Sequence, residues 1–242
     1  MNIVKENIEN LTSLWAIVGK KTNAYYPGAV YDYCYIQHSE WPNKLWFHND
    51  VTKESLQAAK KQIQAAPTEV VLAHWDIYGS NAFKLIESSG FEKSSEQIGM
   101  YLPLNQSLDV ESSLRMGEVK SKNDASLWED VFLKGFGYKI SHQLLLPDYD
   151  NTYFFIVHQG KEPVGTVVLH ACSPNIIGIH SMSILPDMRR QGYAKQIMQI
   201  LLSQSVKQGY RFATLQASTM GRGLYEKLGF TEHFTMKNYT LK

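Results

Sequence analysis

The feature that most constrains the fold is a junction near residue 185. IIGIHSMSIL (176–185) is a β-branched and apolar run of strand length, and it meets Pro186 and the segment DMRRQGYAK. Past the glycine, Ala194, Ile197, Met198, Leu201 and Leu202 recur at i, i+3, i+4, i+7 and i+8, the stripe of an amphipathic helix. A strand delivered through a short turn into a packed helix is the unit of an α/β sheet.

The same alternation runs through the chain. An N-terminal helix carries Ile8, Leu11, Trp15 and Val18 on one face. Tyr31, Tyr33 and Tyr35 alternate and so share one face of a strand, and LWFH (45–48) is a second, short strand. Thr52 caps a helix with Leu56, Ala59, Ile63 and Ala66 inward, stopped by Pro67. EVVLAHW (69–75) is a strand, a short helix runs from Ser80 to Gly90, and 96–104 is a further strand. NQSLDVESS (105–113) is polar and reads as a linker. Beyond it come a strand near Met116, a helix capped by Asp124, the hairpin TYFFIVHQGKEPVGTVVLH (152–170) and the 176–208 unit. A strand (211–218), a helix (223–228) closed by Gly229 and Phe230, and a last strand (233–241) complete the chain. The expected class is α/β with a mixed sheet, in two units, 1–109 and 110–242.

Composition narrows the functions. Of 242 residues, 44% are hydrophobic and the formal net charge is +1, enough for a core and no polybasic surface for nucleic acid or membrane. The balance is uneven: residues 1–109 hold 9 basic and 12 acidic side chains, and all five arginines (Arg115, Arg189, Arg190, Arg211, Arg222) lie in the remainder. Two cysteines, Cys34 and Cys172, build neither a disulfide framework nor a zinc site. The N-terminal apolar stretch, Leu11 to Gly19, is short and preceded by Glu6 and Glu9, so neither a signal peptide nor a membrane span is expected, and a cytoplasmic setting is.

The stretch Arg189, Arg190, Gln191, Gly192, Tyr193, Ala194 and Lys195 carries chemistry. A helix start leaves backbone N–H groups unpaired and carries about half a positive charge, so it attracts phosphate. Gly192 and Ala194 let a bulky anion approach, and the arginines add donors and charge. The plain alternative is a glycine-containing helix entry with solvated arginines.

Here the chain resembles the GNAT superfamily of acyl-CoA-dependent N-acyltransferases, whose acyl-CoA loop reads R/Q-x-x-G-x-G/A. Arg189, Gly192 and Ala194 match it, Pro186 stands where the family usually has it, and LYEKLGF (224–230) resembles the family's closing helix and Gly-Phe turn. The resemblance covers residues 112–242, about one domain. It implies a GNAT-like fold, acetyl-CoA as co-substrate without a metal, and direct acetyl transfer to a primary amine of a small molecule with no covalent enzyme intermediate. It further implies that the backbone of Met182, Ser183 and Ile184 pairs with the pantetheine arm and that Arg189 to Lys195 hold the pyrophosphate. Ser218 stands where the family often has asparagine. Tyr225 stands where it has a tyrosine that protonates the departing thiolate. Gly178 occupies the place of a frequent glutamate base, and His180, two residues on and on the same strand face, is the candidate base, with solvent as the other. Arg222 could reach the phosphates or stand solvated.

An echo links the halves. Shifted by 139 positions, LIESSGF (85–91) falls on LYEKLGF (224–230), with Leu, Glu, Gly and Phe in common. NDVTKE (49–54) replaces the phosphate loop and Ile86 replaces the tyrosine, as in a degenerate GNAT-like copy arranged in tandem; convergence on a helix closed by Gly-Phe is the alternative. The Tyr31, Tyr33 and Tyr35 face is the expected lining of any acceptor cavity from that half. Expected partners are a small amine, with no nucleic acid and no membrane, for a monomer or homodimer. The competing function is a non-catalytic acyl-CoA or metabolite sensor on the same fold, favoured by Gly178 and Ser218.

Overall fold

The computed structural model describes residues 2–105, 110–146 and 148–242; positions 106–109 of the expected linker lie outside the described residues. In chain order the elements are α1 (Ile3–Lys21), β1 (Tyr25–Tyr26), β2 (Tyr31–Cys34), β3 (Lys44–Phe47), α2 (Lys53–Ala65), β4 (Val71–Trp75), α3 (Ala82–Ser88) and β5 (Phe91–Pro103). Then follow β6 (Leu114–Glu118), α4 (Lys122–Phe136), β7 (Thr152–Gln159), β8 (Glu162–Ser173), β9 (Ile176–Ile184), α5 (Tyr193–Lys207), β10 (Phe212–Ser218), α6 (Arg222–Lys227) and β11 (Thr231–Leu241).

Local chemistry accounts for most of these bounds. Thr52 caps α2 through a capping box with Ser55. At α4 the cap is Ser121 rather than Asp124; Asp124 sits at the third helical position and accepts from Ser121 N, closing the box. The short helix after residue 80 begins at Ala82, and β5 starts at Phe91, earlier than alternation alone predicts.

All eleven strands join one mixed sheet in the order β1-β2-β3-β4-β11-β5-β10-β9-β8-β7-β6. The order β3-α2-β4-α3-β5 recurs as β9-α5-β10-α6-β11, and in each run the first two strands are parallel. The closing strands are exchanged. β11 lies between β4 and β5, and β5 lies between β11 and β10, so each run's last strand is inserted in the other run's territory. The halves therefore share their central hydrogen bonds.

Helices cover both faces. One face packs α1 and α4 through a core that includes Leu11, Leu14, Trp15, Trp128 and Phe132. The other packs α2 and α3 over one half and α5 and α6 over the other, around Leu56, Ile86 and Tyr239 and around Ile197, Met198 and Leu201. Burying each large apolar side chain stabilises by about 1.5–3 kcal/mol, which fixes α1 across the seam rather than over its own half alone. Its contacts reach β8 and β9 as well as β5. Among the described residues no helix is long and apolar enough to cross a membrane.

Candidate active site

The parallel ladder between β9 and β10 ends early. It pairs Ile176 with Phe212, Ile177 with Ala213 and Gly178 with Thr214, then the strands part. Beyond Gly178, β9 is laddered on the β8 side only, so its other edge faces the cleft with backbone groups available to a ligand. A register shift against β8 falls between Thr166 and Val168, and Ser181 there has φ +48°. This bulge changes which side chains share a face. Strict alternation would put Met182 and Ile184 with His180. Instead Ser183 is buried on the α4 side, bonded to Thr166 Oγ1 at 2.8 Å. Met182 and Ile184 pack in the α5 core.

The loop after β9 has the geometry of an anion cradle. Arg190 has φ +62° and Gly192 φ +82°, and Gly192 caps α5 with no side-chain hydrogen bond. Left-handed residues beside a helix start turn successive N–H groups toward one point. Those of Gly192, Tyr193, Ala194 and Lys195 belong to the unpaired start of the helix. A Cβ on Gly192 would meet nothing nearer than Gln196 Nε2 at 4.0 Å, so the space above the loop is open; its left-handed backbone is what requires glycine. Arg189 does other work. Its guanidinium donates to Ile184 O at 3.1 Å and Gly135 O at 2.8 Å, tying the loop to the end of β9 and to α4. Gln191 Nε2 likewise donates to Asp187 O at 3.0 Å, within the loop. The backbone N–H groups of this loop could hold an anion, and Arg190 and Lys195 beside them are exposed.

The matching point of the first half is closed. At the start of α2, Thr52 N donates to Ser55 Oγ and Ser55 N to Thr52 Oγ1, and Asp50 accepts from Val51 N at 2.9 Å. His48 pairs with Asp32 at 2.9 Å. No glycine opens this turn, and its acids repel phosphate.

Tyr225 lies on α6, its ring edge-on to Phe230 with centroids 5.8 Å apart, in the cluster that holds Met182, Ile184 and Tyr193. Burial pushes its phenol up to about 12, so it holds its proton throughout the neutral range. Ser218 ends β10, its Oγ accepting from Gly221 N at 3.2 Å, which fixes the turn into α6. Arg222 is engaged by Glu226 at 2.9 Å and by Glu232, so its charge is held by carboxylates.

His180 lies on the opposite face, buried under α1, and sequence reasoning missed what surrounds it. Its Nε2 lies 2.8 Å from Asn10 Oδ1, and Asn10 Nδ2 donates to His170 O at 2.9 Å. Gln216 of β10, whose side chain opposes the lowering of the ring's basicity, donates its Nε2 to Asn7 Oδ1 at 2.7 Å. Burial, with His170 nearby, pushes His180 down to about 3, so the ring is neutral and, in this state, a weak base. The sequence signal was the pair Asn7 and Asn10 on an otherwise apolar helix face.

The tyrosine face does not join this site. Tyr31 and Tyr33 lie on β2 with Tyr35 just past its end, and Tyr26, Tyr33 and Tyr35 stack on one another. Six strand spacings, about 29 Å, separate β2 from β9.

Residues 150–232 match the acetyltransferase (GNAT) domain family. Over this stretch the chain matches a GNAT domain. The GNAT match spans the β7–β8 hairpin, the loop after β9 and α6, and leaves α1 and α4 outside it. No curated protein matches the sequence. Among solved structures, a GCN5-related N-acetyltransferase from Kribbella flavida shares the fold at TM-score 0.72 and 12% identity, over 97% of this chain and 95% of that one. A putative GNAT-family acetyltransferase from Novosphingobium aromaticivorans aligns at TM-score 0.62 and 12% identity, over 95% and 96%. A GCN5-related N-acetyltransferase-like protein from Streptococcus suis aligns at 0.55 and 16%, over 97% and 99%. The fold likeness therefore extends over the whole chain, first half included.

Proposed function

We propose that the chain is an acetyl-CoA-dependent N-acetyltransferase acting on a primary amine of a small molecule, with a first half that is a degenerate copy of the second. One observation carries the reading: the uncapped, left-handed turn at Arg190 to Gly192 opens beside the free edge of β9, while Tyr225 is held protonated in the same cluster. Diphosphate binds the α5 start, the pantetheine arm follows the β9 edge at 182–184 that β10 does not pair, and the thioester enters between β9 and β10. The amine nitrogen attacks the thioester carbon, a C–N bond forms and the C–S bond breaks. The nitrogen gives up a proton to solvent or to His180, and the departing thiolate takes one from the Tyr225 hydroxyl, which solvent restores. The repeated element order and exchanged closing strands support the tandem reading, and the capped start of α2 supports its degeneracy.

The second reading, a sensor that binds acyl-CoA without turnover, draws on Gly178 and on the depressed basicity of His180. An acceptor screen over amines, amino acids, polyamines and aminoglycosides, reading free CoA thiol, separates the two. Amine-dependent thiol release supports the enzyme. Acetyl-CoA binding by calorimetry with no release from any amine supports the sensor.

A further inference from the structure

We propose that α1 of the first half is a working part of the transfer site: Asn10 occupies the space a side chain at 178 would fill and fixes the orientation and tautomer of His180. This rests on the acyltransferase reading. A Cβ built on Gly178 would collide with Asn10 Oδ1 and with His180 Nε2, so the glycine and the asparagine are complementary: one is empty where the other enters.

The hydrogen bonds have a defined direction. Asn10 Nδ2 is committed to His170 O, which leaves Oδ1 as the acceptor facing His180 and puts the ring's hydrogen on Nε2. Asn7 Nδ2 donates to Met100 O at 3.1 Å, so its Oδ1 accepts from Gln216 Nε2. Asn7 and Asn10 are both 0% exposed, one turn apart on a helix whose other inward residues are Ile8, Leu11, Leu14, Trp15 and Val18. Leucine at either position would serve packing better, since a buried amide with a lost partner costs about 1–3 kcal/mol. Both amides stand where β9 and β10 part: Asn10 presents its acceptor oxygen to the imidazole, while Asn7 holds the side chain of Gln216. That arrangement readies the ring to hold a proton taken from the amine at Nδ1, with Nε2–H anchored. Asn10 is a positioning residue acting through His180. The groups acting on the ring are Asn10 of α1, His170 of β8 and Gln216 of β10; Cys172 of β8 meets Asn10 at 3.7 Å, and the charge of Glu6 on α1 acts on Cys172.

The test is a double-mutant cycle in the full chain, with acetyl-CoA as donor and the best amine from the acceptor screen. Asn10→Ala should lower kcat by ~10- to 100-fold and leave the acetyl-CoA Kd within about threefold. In the His180→Ala background the same change should alter kcat less than about twofold, because the residues act as a unit. Full multiplication of the two effects, or an unchanged kcat in Asn10→Ala, would overturn the proposal. Should Asn10→Ala not fold, Asn10→Asp keeps the shape and sets a carboxylate against Nε2. The acid-side limb of kcat/KM should then move to higher pH, and a profile superimposing on wild type would refute the role. Nitrogen-15 NMR of the imidazoles should show His180 protonated at Nε2 in the wild type and released from that form in Asn10→Ala. A wild-type protein that binds acetyl-CoA and acetylates no amine would instead sink the acyltransferase reading, and this inference with it.

Discussion

Asn10 Oδ1 and His180 Nε2 lie 2.8 Å apart across 170 residues of chain, one on the first helix, the other where the central strands of the second half separate. The contact joins two halves whose closing strands are already exchanged, so the cleft is bounded by both. Neither half holds a complete version of it.

The exchange makes a direct prediction about truncation. A fragment of residues 110–242 lacks β5, which lies between β10 and β11. It would leave β10 with a long unpaired edge and β11 with no neighbour of its own half, a template for aggregation. The fragment should be insoluble or molten, and co-expression with residues 1–109 should recover a stable complex by size exclusion and circular dichroism. A monomeric, cooperatively unfolding fragment would show that the exchange is dispensable.

Tyr225→Phe removes one hydroxyl from a ring that keeps its packing on Phe230. Loss of a general acid should lower kcat about 10²-fold with acetyl-CoA affinity unchanged within about threefold. With the phenol pushed up to about 12, the wild-type rate should show no Tyr225 limb between pH 6 and 9. Steady-state kinetics with calorimetry settles it; an unchanged kcat removes Tyr225 as the acid.

At Gly192 the backbone has φ +82°. Alanine there should cost about 1–2 kcal/mol of stability from left-handed strain while leaving measurable acetyl-CoA binding. Glutamate adds a charge facing the diphosphate and should abolish binding. Retained binding in Gly192→Glu would move the pyrophosphate elsewhere.

Acid should unfold the protein early. His74 and His170 are pushed down to about 4 and His180 to about 3, chiefly by burial, from the ordinary 6.5. Because the folded pKa values are depressed, the unfolded chain binds protons that the folded one refuses as pH falls. This stability is therefore complete above about pH 7 and declines from 6.5 toward 4, by about 1.4 kcal/mol per proton per pH unit. Urea midpoints should agree at pH 8 and 7 and drop steadily at 6 and 5. A flat midpoint down to pH 5 would contradict the buried neutral state of these rings.

Element types and the anion loop were legible because each is written locally. The stripe from Ala194 to Leu202, the Thr52 and Ser55 box and the glycine at 192 depend on residues a few positions apart, within reach of one turn. Even the absence of a side chain at Gly178 was visible. Its consequence was not, since the group that fills the gap comes from Asn10. The bulge at Ser181 was hidden too, because it inverts which β9 side chains share a face without leaving a glycine or proline to mark it. The tyrosine row at 31, 33 and 35 misled for a related reason: alternation gives a shared face but not the distance of that face from the cleft.

The sequence by itself determined an α/β chain with its arginines and its glycine-bearing turn before α5 in one half, because helix periodicity, strand alternation and glycine backbone freedom act over short separations. Only the tertiary structure decided that β5 and β11 trade places and that α1 lays the Asn10 amide against His180. Those outcomes depend on which apolar faces and strand edges meet after long loops close, and that pairing is set by packing of the whole sheet rather than by any local run of residues.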